Sequence, residues 1–311
     1  MGRTRSAAKD IGAILADIEA EVRAENDWGN VASYIPELAD IRPNQFAMSV
    51  CTAAGETVST GDAMTRFSIQ SVSKVFTLAL ALGRHGDLLW RRVGKEPSGN
   101  PFNSIIQLEV ENGTPRNPFV NAGAIVTTDA ILEGRKPRDT LAEILRFIRS
   151  AAEDDDIWIN DRVARSEERT GDRNYAIAHF LRSCGNLRGE CALVLGTYFH
   201  HCAIEMTCVQ LARAGRFLCS AFGDQRLIPT ERVRSINALM MTCGHYDGSG
   251  EFAYRVGFPG KSGVGGGILA VVPNVASIAV WSPGLNDFGN SKQGTRALER
   301  LSERTGWSVF A

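Results

Sequence analysis

Apolar residues fall at two spacings along this chain, and the switches between them lay out its elements. Ile11, Ile14, Leu15, Ile18 and Val22 recur every three or four residues, which predicts an amphipathic helix over 7–24. Asp27-Trp-Gly-Asn30 and Tyr34-Ile-Pro36 break that pattern. Phe46–Cys51 and Thr57–Thr60, with Ala54-Gly-Glu56 between them, read as two strands and a turn. Beyond Gly61-Asp62 comes Ser71-Val-Ser-Lys74 and then Val75–Leu82, an apolar run long enough for a buried helix. Between about 85 and 250 strand signals are few. Gly94–Pro101 and Asn112–Pro118 are rich in breakers. Asn121–Ile125, Leu141–Ala152, Tyr175–Leu181, Ile204–Phe222 and Glu231–Met241 carry helical patterns. Strand character returns at Gly263–Val272 and Ala276–Trp281 around a Pro273-Asn274 turn, and Ala297, Leu298 and Leu301 mark a last helix.

This order predicts an α+β fold. The first and last strands form one antiparallel sheet flanked by the terminal helices, with a helical lobe inserted between them. All 311 residues make a single domain, with a sheet lobe of about 1–80 plus 255–311 and a helical lobe of about 81–254. The Ser71 helix and the Lys261 strand would then meet where the lobes join, a common place for a ligand cleft.

Composition narrows the class. Apolar content of 44% and charge of 22% suit a soluble globular protein, and a net charge of −1 gives no reason to expect nucleic acid or an anionic membrane surface as partner. No apolar leader follows Met1–Ser6 and no apolar run is long enough to cross a membrane, so a cytoplasmic protein is expected. Seven cysteines without a Cys-x-x-Cys pair read as buried thiols. His200-His201-Cys202 is the only His/Cys cluster, and adjacent helical residues point different ways, so these side chains are expected to line the core or a groove rather than a metal. No metal and no cofactor are expected.

Chemistry concentrates in two places. Ser71 and Lys74 stand three apart, so on a helix the ammonium reaches the hydroxyl, and a desolvated lysine can serve as its base. Ser6-Ala-Ala-Lys9 has the same spacing, so the motif gains meaning only from context. That context includes Lys261-Ser262-Gly263, where the β-lactamases and penicillin-binding proteins carry Lys-Thr-Gly. Lysine is scarce: two of only six fall in these motifs.

At this point the chain resembles the serine-dependent glutaminases, a family of β-lactamase-like fold. The stretches that carry the likeness are Phe67–Lys74, Gly94–Gly99, Pro115–Ala124, Ala164–Glu167, Tyr198–Cys202, Gly250–Gly257 and Lys261–Gly267, in the family's order from about residue 25 onward. The resemblance implies hydrolysis of L-glutamine to L-glutamate and ammonia, in a homodimer or homotetramer. It makes Ser71 the nucleophile and Lys74 the adjacent proton acceptor, with Tyr198 as the alternative proton relay. Asn121, Glu167, Asn174, Tyr198, Tyr246 and Val264 match the family's substrate-binding positions alongside Ser71, with Lys261 and Ser262 in support. Chemically, Glu167 suits the α-ammonium, the amides and phenols suit the α-carboxylate, and the Ser71 and Val264 amides suit an oxyanion. A penicillin-recognising hydrolase would need an exported chain and a well-placed Ser-x-Asn. A silent ligand-binding module would lack the nucleophile or its lysine. His245 and Gly260 depart from the methionine-like and alanine-like residues expected of relatives.

Overall fold

The computed structural model describes residues 10–99, 103–219 and 227–311; Ser6–Lys9 and the end of the Ile204–Phe222 stretch lie outside them. The first helix, α1 (Ile11–Arg23), is capped by Asp10, whose carboxylate accepts from the Ala13 amide, and it buries Leu15, Ile18 and Val22. A short α2 (Pro36–Ala39) follows. Then come β1 (Ala47–Thr52), β2 (Thr57–Gly61) and β3 (Phe67–Ser68). Gln70–Val72 make one tight 3₁₀ turn that runs straight into α3 (Ser73–His85).

The middle of the chain is helical, as its spacing predicts. It contains α4 (Ile106–Val110), α5 (Asn121–Leu132) and α6 (Pro137–Ala152). After β4 (Trp158–Ile159) come α7 (Asp161–Arg169), α8 (Asp172–Ser183) and α9 (Cys191–Cys202). The stretch from Ile204 corrects the expectation of a helix. Ile204–Met206 is a strand, β5, and only then does α10 (Cys208–Ala214) begin, closed by a capping box of Thr207 and Gln210. Beyond it lie α11 (Thr230–Cys243) and α12 (Ser249–Arg255).

The last part is a meander. The expected strand Gly263–Val272 is instead a hairpin: β6 (Gly260–Ser262) turns through Gly263–Gly266 into β7 (Gly267–Val272), followed by β8 (Ala276–Trp281) and α13 (Lys292–Thr305). The principal sheet has the order β2-β1-β8-β7-β6 with every pair antiparallel, so the beginning and end of the chain share it. Both faces are covered, which is why β7 and β8 read as apolar runs without alternation. One set of side chains (Met48, Val50, Ile268, Ala270, Ile278, Val280) packs on α1 and α13. The opposite set (Ala47, Cys51, Leu269, Val271, Ala279, Trp281) packs on α3, α6, α10 and α11. A third cluster, built on α5, α8 and α9, fills the helical side. The small strands β3, β5 and β4 form a separate ladder that ends at the turn before Ser71, with the Ile69 amide donating to Ile204 O at 2.9 Å.

Candidate active site

Ser71 is the second residue of the 3₁₀ turn, a position whose amide has no acceptor inside the turn. The residue before it, Gln70, is buried and held at φ +49, in the left-handed region. Two carbonyl-rich segments meet there at backbone distance. A Cβ on Gly263 would come within 2.6 Å of Ile69 O and 3.2 Å of the Ser71 nitrogen, and one on Gly265 within 2.3 Å of Ser68 O. The glycines after Lys261-Ser262 therefore let the β6–β7 turn lie directly on the Ser71 turn, bringing Val264 beside it.

Lys74, in the first turn of α3, is fully enclosed. Its Nζ donates to Asn121 Oδ1 at 2.8 Å and to Phe119 O at 3.1 Å. No hydrogen bond joins it to Ser71 Oγ among the described residues, which differs from the pairing the spacing predicts. The Ser71 hydroxyl instead lies by the Tyr246 phenol, which burial pushes up to about 12 and Ser71 pulls the other way. Burial pulls Lys74 from 10.5 down to about 8, against the opposing pull of Cys202 and Glu167. That is a difference of about 3 kcal/mol between its charged and neutral forms. Burial first, then the Lys74 charge, hold Lys261 well below its own ordinary range. The Lys261 Nζ donates to Gly244 O and Ser262 O and lies 4.6 Å from the Tyr246 ring centre.

Asn121 is the hub. It opens α5 because Asn117 Oδ1 takes the Phe119 and Val120 amides, and Gly123 lets α5 press on Asn117 O, which a Cβ there would meet at 1.9 Å. Asn121 Oδ1 accepts from Lys74 and from the Tyr198 hydroxyl (3.3 Å), and its Nδ2 donates to Asn174 Oδ1 at 3.0 Å. Tyr198 is buried, and desolvation drives its phenol far above its usual range, so it stays protonated. Glu167, on α7, accepts from Gln70 Nε2 at 2.8 Å. Burial raises its carboxyl to about 7, with Gln70 and Lys74 pulling the other way. Tyr246, with φ +55, also reaches Ser262 O at 3.4 Å. Ser262 Oγ is fully buried without a partner among the described residues.

All the predicted residues thus converge on one place. Sequence reading missed Gln70, which ties Glu167 to the Ser71 turn, and Tyr34. Tyr34 is 55% exposed, yet desolvation, then Tyr246 and Glu167, push its phenol up, so its body faces solvent while its hydroxyl end lies within electrostatic range of the site. Tyr34 carries no motif, and Gln70, although inside the Phe67–Lys74 stretch, has nothing in the sequence to tie it to Glu167. His245 and Gly260 pack against each other. A Cβ on Gly260 would stand 2.7 Å from His245 Cε1, so the bare glycine makes room for the imidazole. That ring stacks on Phe252 at 3.5 Å, and burial, then Lys261, keep it neutral. Among the described residues no group of three His, Cys, Asp or Glu side chains could hold a metal. A cleft of about 510 Å³ between His85, Arg92, Asp129 and Arg188 lies elsewhere and is lined by none of the site residues described here.

Comparison with known proteins agrees with this geometry. The family model described as Glutaminase matches residues 29–310. A glutaminase of Pseudoalteromonas atlantica is 60% identical over 301 residues, 96% of this chain and 98% of its own. Among solved structures, the probable glutaminase YbaS superposes with a TM-score of 0.92 at 36% identity, covering 98% of this chain and 99% of that one. Mglu in its glutamate form superposes with a TM-score of 0.89 at 34% identity, covering 96% of this chain and 69% of that one. These matches make the class plain, a hydrolase of amide C–N bonds. The chain belongs to the glutaminase family, and its activity is that of a glutaminase.

Proposed function

We propose that the chain releases ammonia from L-glutamine through a seryl ester on Ser71. The observation that carries this reading is the enclosed Lys74, depressed to about 8 and held next to the Ser71 turn. Neutral Lys74 takes the Ser71 proton as Oγ bonds to the side-chain amide carbon. The C–N bond then breaks and ammonia leaves with a returned proton, and water cleaves the ester to give glutamate. Tyr198, protonated throughout, orients Asn121 and the substrate and is not the base. Tyr246, beside Ser71 and kept protonated by burial, is suited to pass a proton to the leaving ammonia. The lack of a direct Ser71–Lys74 bond is no obstacle, since catalytic hydrogen bonds commonly tighten only with substrate bound.

The amides of Ser71 and Val264 suit the oxyanion, because the glycine-rich turn lies at backbone distance from Ser71. Glu167 receives the α-ammonium, and Asn121, Asn174 and Tyr198 receive the α-carboxylate. That Mglu was obtained in a glutamate form supports a pocket shaped for the product amino acid. The same reading keeps the two-lobe division, a cytoplasmic location and a homodimer or homotetramer; light scattering giving a monomer at working concentration would remove the last of these. No helix among the described residues is long and apolar enough to cross a membrane. The test is ammonia release from L-glutamine by the wild type and by Ser71→Ala. Loss of at least about a thousandfold in kcat is expected for the variant; an active, folded Ser71→Ala protein would overturn the nucleophile.

A further inference from the structure

Directly beneath the site lies a second polar layer. His201 sits three residues after Tyr198 on α9, fully buried, with its ring edge-on to the tyrosine at 5.3 Å. Its Nδ1 is 2.8 Å from Ser73 Oγ, the first residue of α3, between Ser71 and Lys74. Its Nε2 is 3.1 Å from Thr128 Oγ1 on α5, seven residues and thus two turns along the same face from Asn121.

The hydrogen bonds point to one tautomer. Thr128 Oγ1 donates to Ala124 O at 2.9 Å, which leaves it to accept from Nε2–H. Ser73 Oγ has one proton and two acceptors in reach, Nδ1 at 2.8 Å and Cys202 Sγ at 3.9 Å, and the shorter contact takes it, so Nδ1 accepts. Burial, reinforced by the Lys74 charge, pulls the imidazole down to about 3, so it holds this form at any working pH. The upper layer joins the same three elements through Asn121, which accepts from Lys74 and from Tyr198. Two hubs, one facing substrate and one below it, thus lock three helices against rotation.

We propose that His201 is a positioning residue whose Nε2–H tautomer holds the helices bearing Ser71 and Lys74, Asn121, and Tyr198 in catalytic register. It touches no substrate. The proposal rests on the site assignment made above, and misplacement of a reacting group by about 1 Å can cost 100-fold in rate.

Three measurements test it. In His201→Leu, kcat for glutamine falls about 10- to 100-fold while KM stays within about threefold. His201→Gln, whose amide can accept from Ser73 and donate to Thr128, recovers most of that loss. A folded His201→Leu protein with kcat within about twofold of wild type, or a His201→Gln protein no better than His201→Leu, overturns the proposal. If His201→Leu fails to fold, Ser73→Ala and Thr128→Val cut one arm each. Each then lowers kcat about fivefold, and wild-type kcat in both overturns the role. Nitrogen-resolved NMR of the intact enzyme reads the ring directly, and an Nδ1–H tautomer refutes the arrangement. Ser71→Ala assayed in parallel keeps the two readings apart. An active Ser71→Ala enzyme removes the site assignment itself, whereas an inactive one beside a fully active His201→Leu removes only the role of His201.

Discussion

Lys74 and Glu167 are moved toward each other by one cause. Burial penalises whichever form is charged, so the lysine falls to about 8 and the carboxyl rises to about 7. In the mechanism we propose, the working form has Lys74 neutral and Glu167 ionised, and a rise in pH produces both. We expect log kcat/KM to fall below pH 7 with a limiting slope of two. In Glu167→Gln the slope should be one, centred below the wild-type lysine value of about 8 because the upward pull of the Glu167 charge is gone, with KM raised about 100-fold for loss of a charged hydrogen bond. A pH profile of the variant that keeps slope two would sink this assignment. Stability moves the other way. Glu167 binds its proton more tightly folded than unfolded, so its contribution is favourable at low pH and is lost as pH rises from 4.5 through about 7. At pH 8 the Glu167→Gln protein should therefore be more stable than wild type, by about 1–2 kcal/mol, measured by urea unfolding. For Lys74→Met we expect no turnover in a protein whose circular dichroism is unchanged. Near-normal ammonia release there would remove the lysine from the mechanism.

At the scale of elements, the site depends on close approach rather than on side-chain bulk. The β6–β7 turn can lie on the Ser71 turn only because Gly263 and Gly265 have no Cβ, and the same logic governs Gly260 under His245. Gly260→Ala should cost about 1–3 kcal/mol by overpacking the imidazole and Phe252. His245→Met, with a flexible unbranched chain, should take back at least about 1 kcal/mol of that in the double variant. Strictly additive unfolding energies would show that the two positions are not coupled. What sequence reading misjudged lies at this scale as well. Ile204–Met206 is too short to display a period of two, and it is a strand because Phe67–Ser68 and Trp158–Ile159 flank it. The glycines at 263–266 were absorbed into a strand because the apolar run from Ile268 dominates the pattern, although Gly266, at φ +87, marks the turn. Ser71, Lys74 and Lys261 stood out through motif spacing, and Asn121 only through the family resemblance. The roles of Gln70 and His201 did not, because each depends on partners far away in the chain.

For the whole molecule, the order helix, hairpin, helices, strands, helix was enough to predict one antiparallel sheet shared by both ends of the chain. It is β8 that joins those ends, pairing Ala47 with Trp281 and running through to Thr52 and Ala276. A chain ended after Val272 should therefore fail to fold, since β1 would lose a partner along its whole length and α1 would lose α13. A soluble product with native-like near-ultraviolet dichroism would contradict this. The same pairing has a consequence during synthesis. By the time the Ser71 turn leaves the ribosome, β1 and β2 can already form a hairpin, but one side of β1 has to wait for some two hundred residues more. At about 5–20 residues per second that interval lasts on the order of 10–50 s. Throughout it, an apolar strand edge of Ala-Met-Ser-Val-Cys-Thr is open to any neighbouring nascent chain. The enzyme's most exposed moment thus comes before it is an enzyme, and its yield in a cell is governed by what shields that edge until Trp281 arrives.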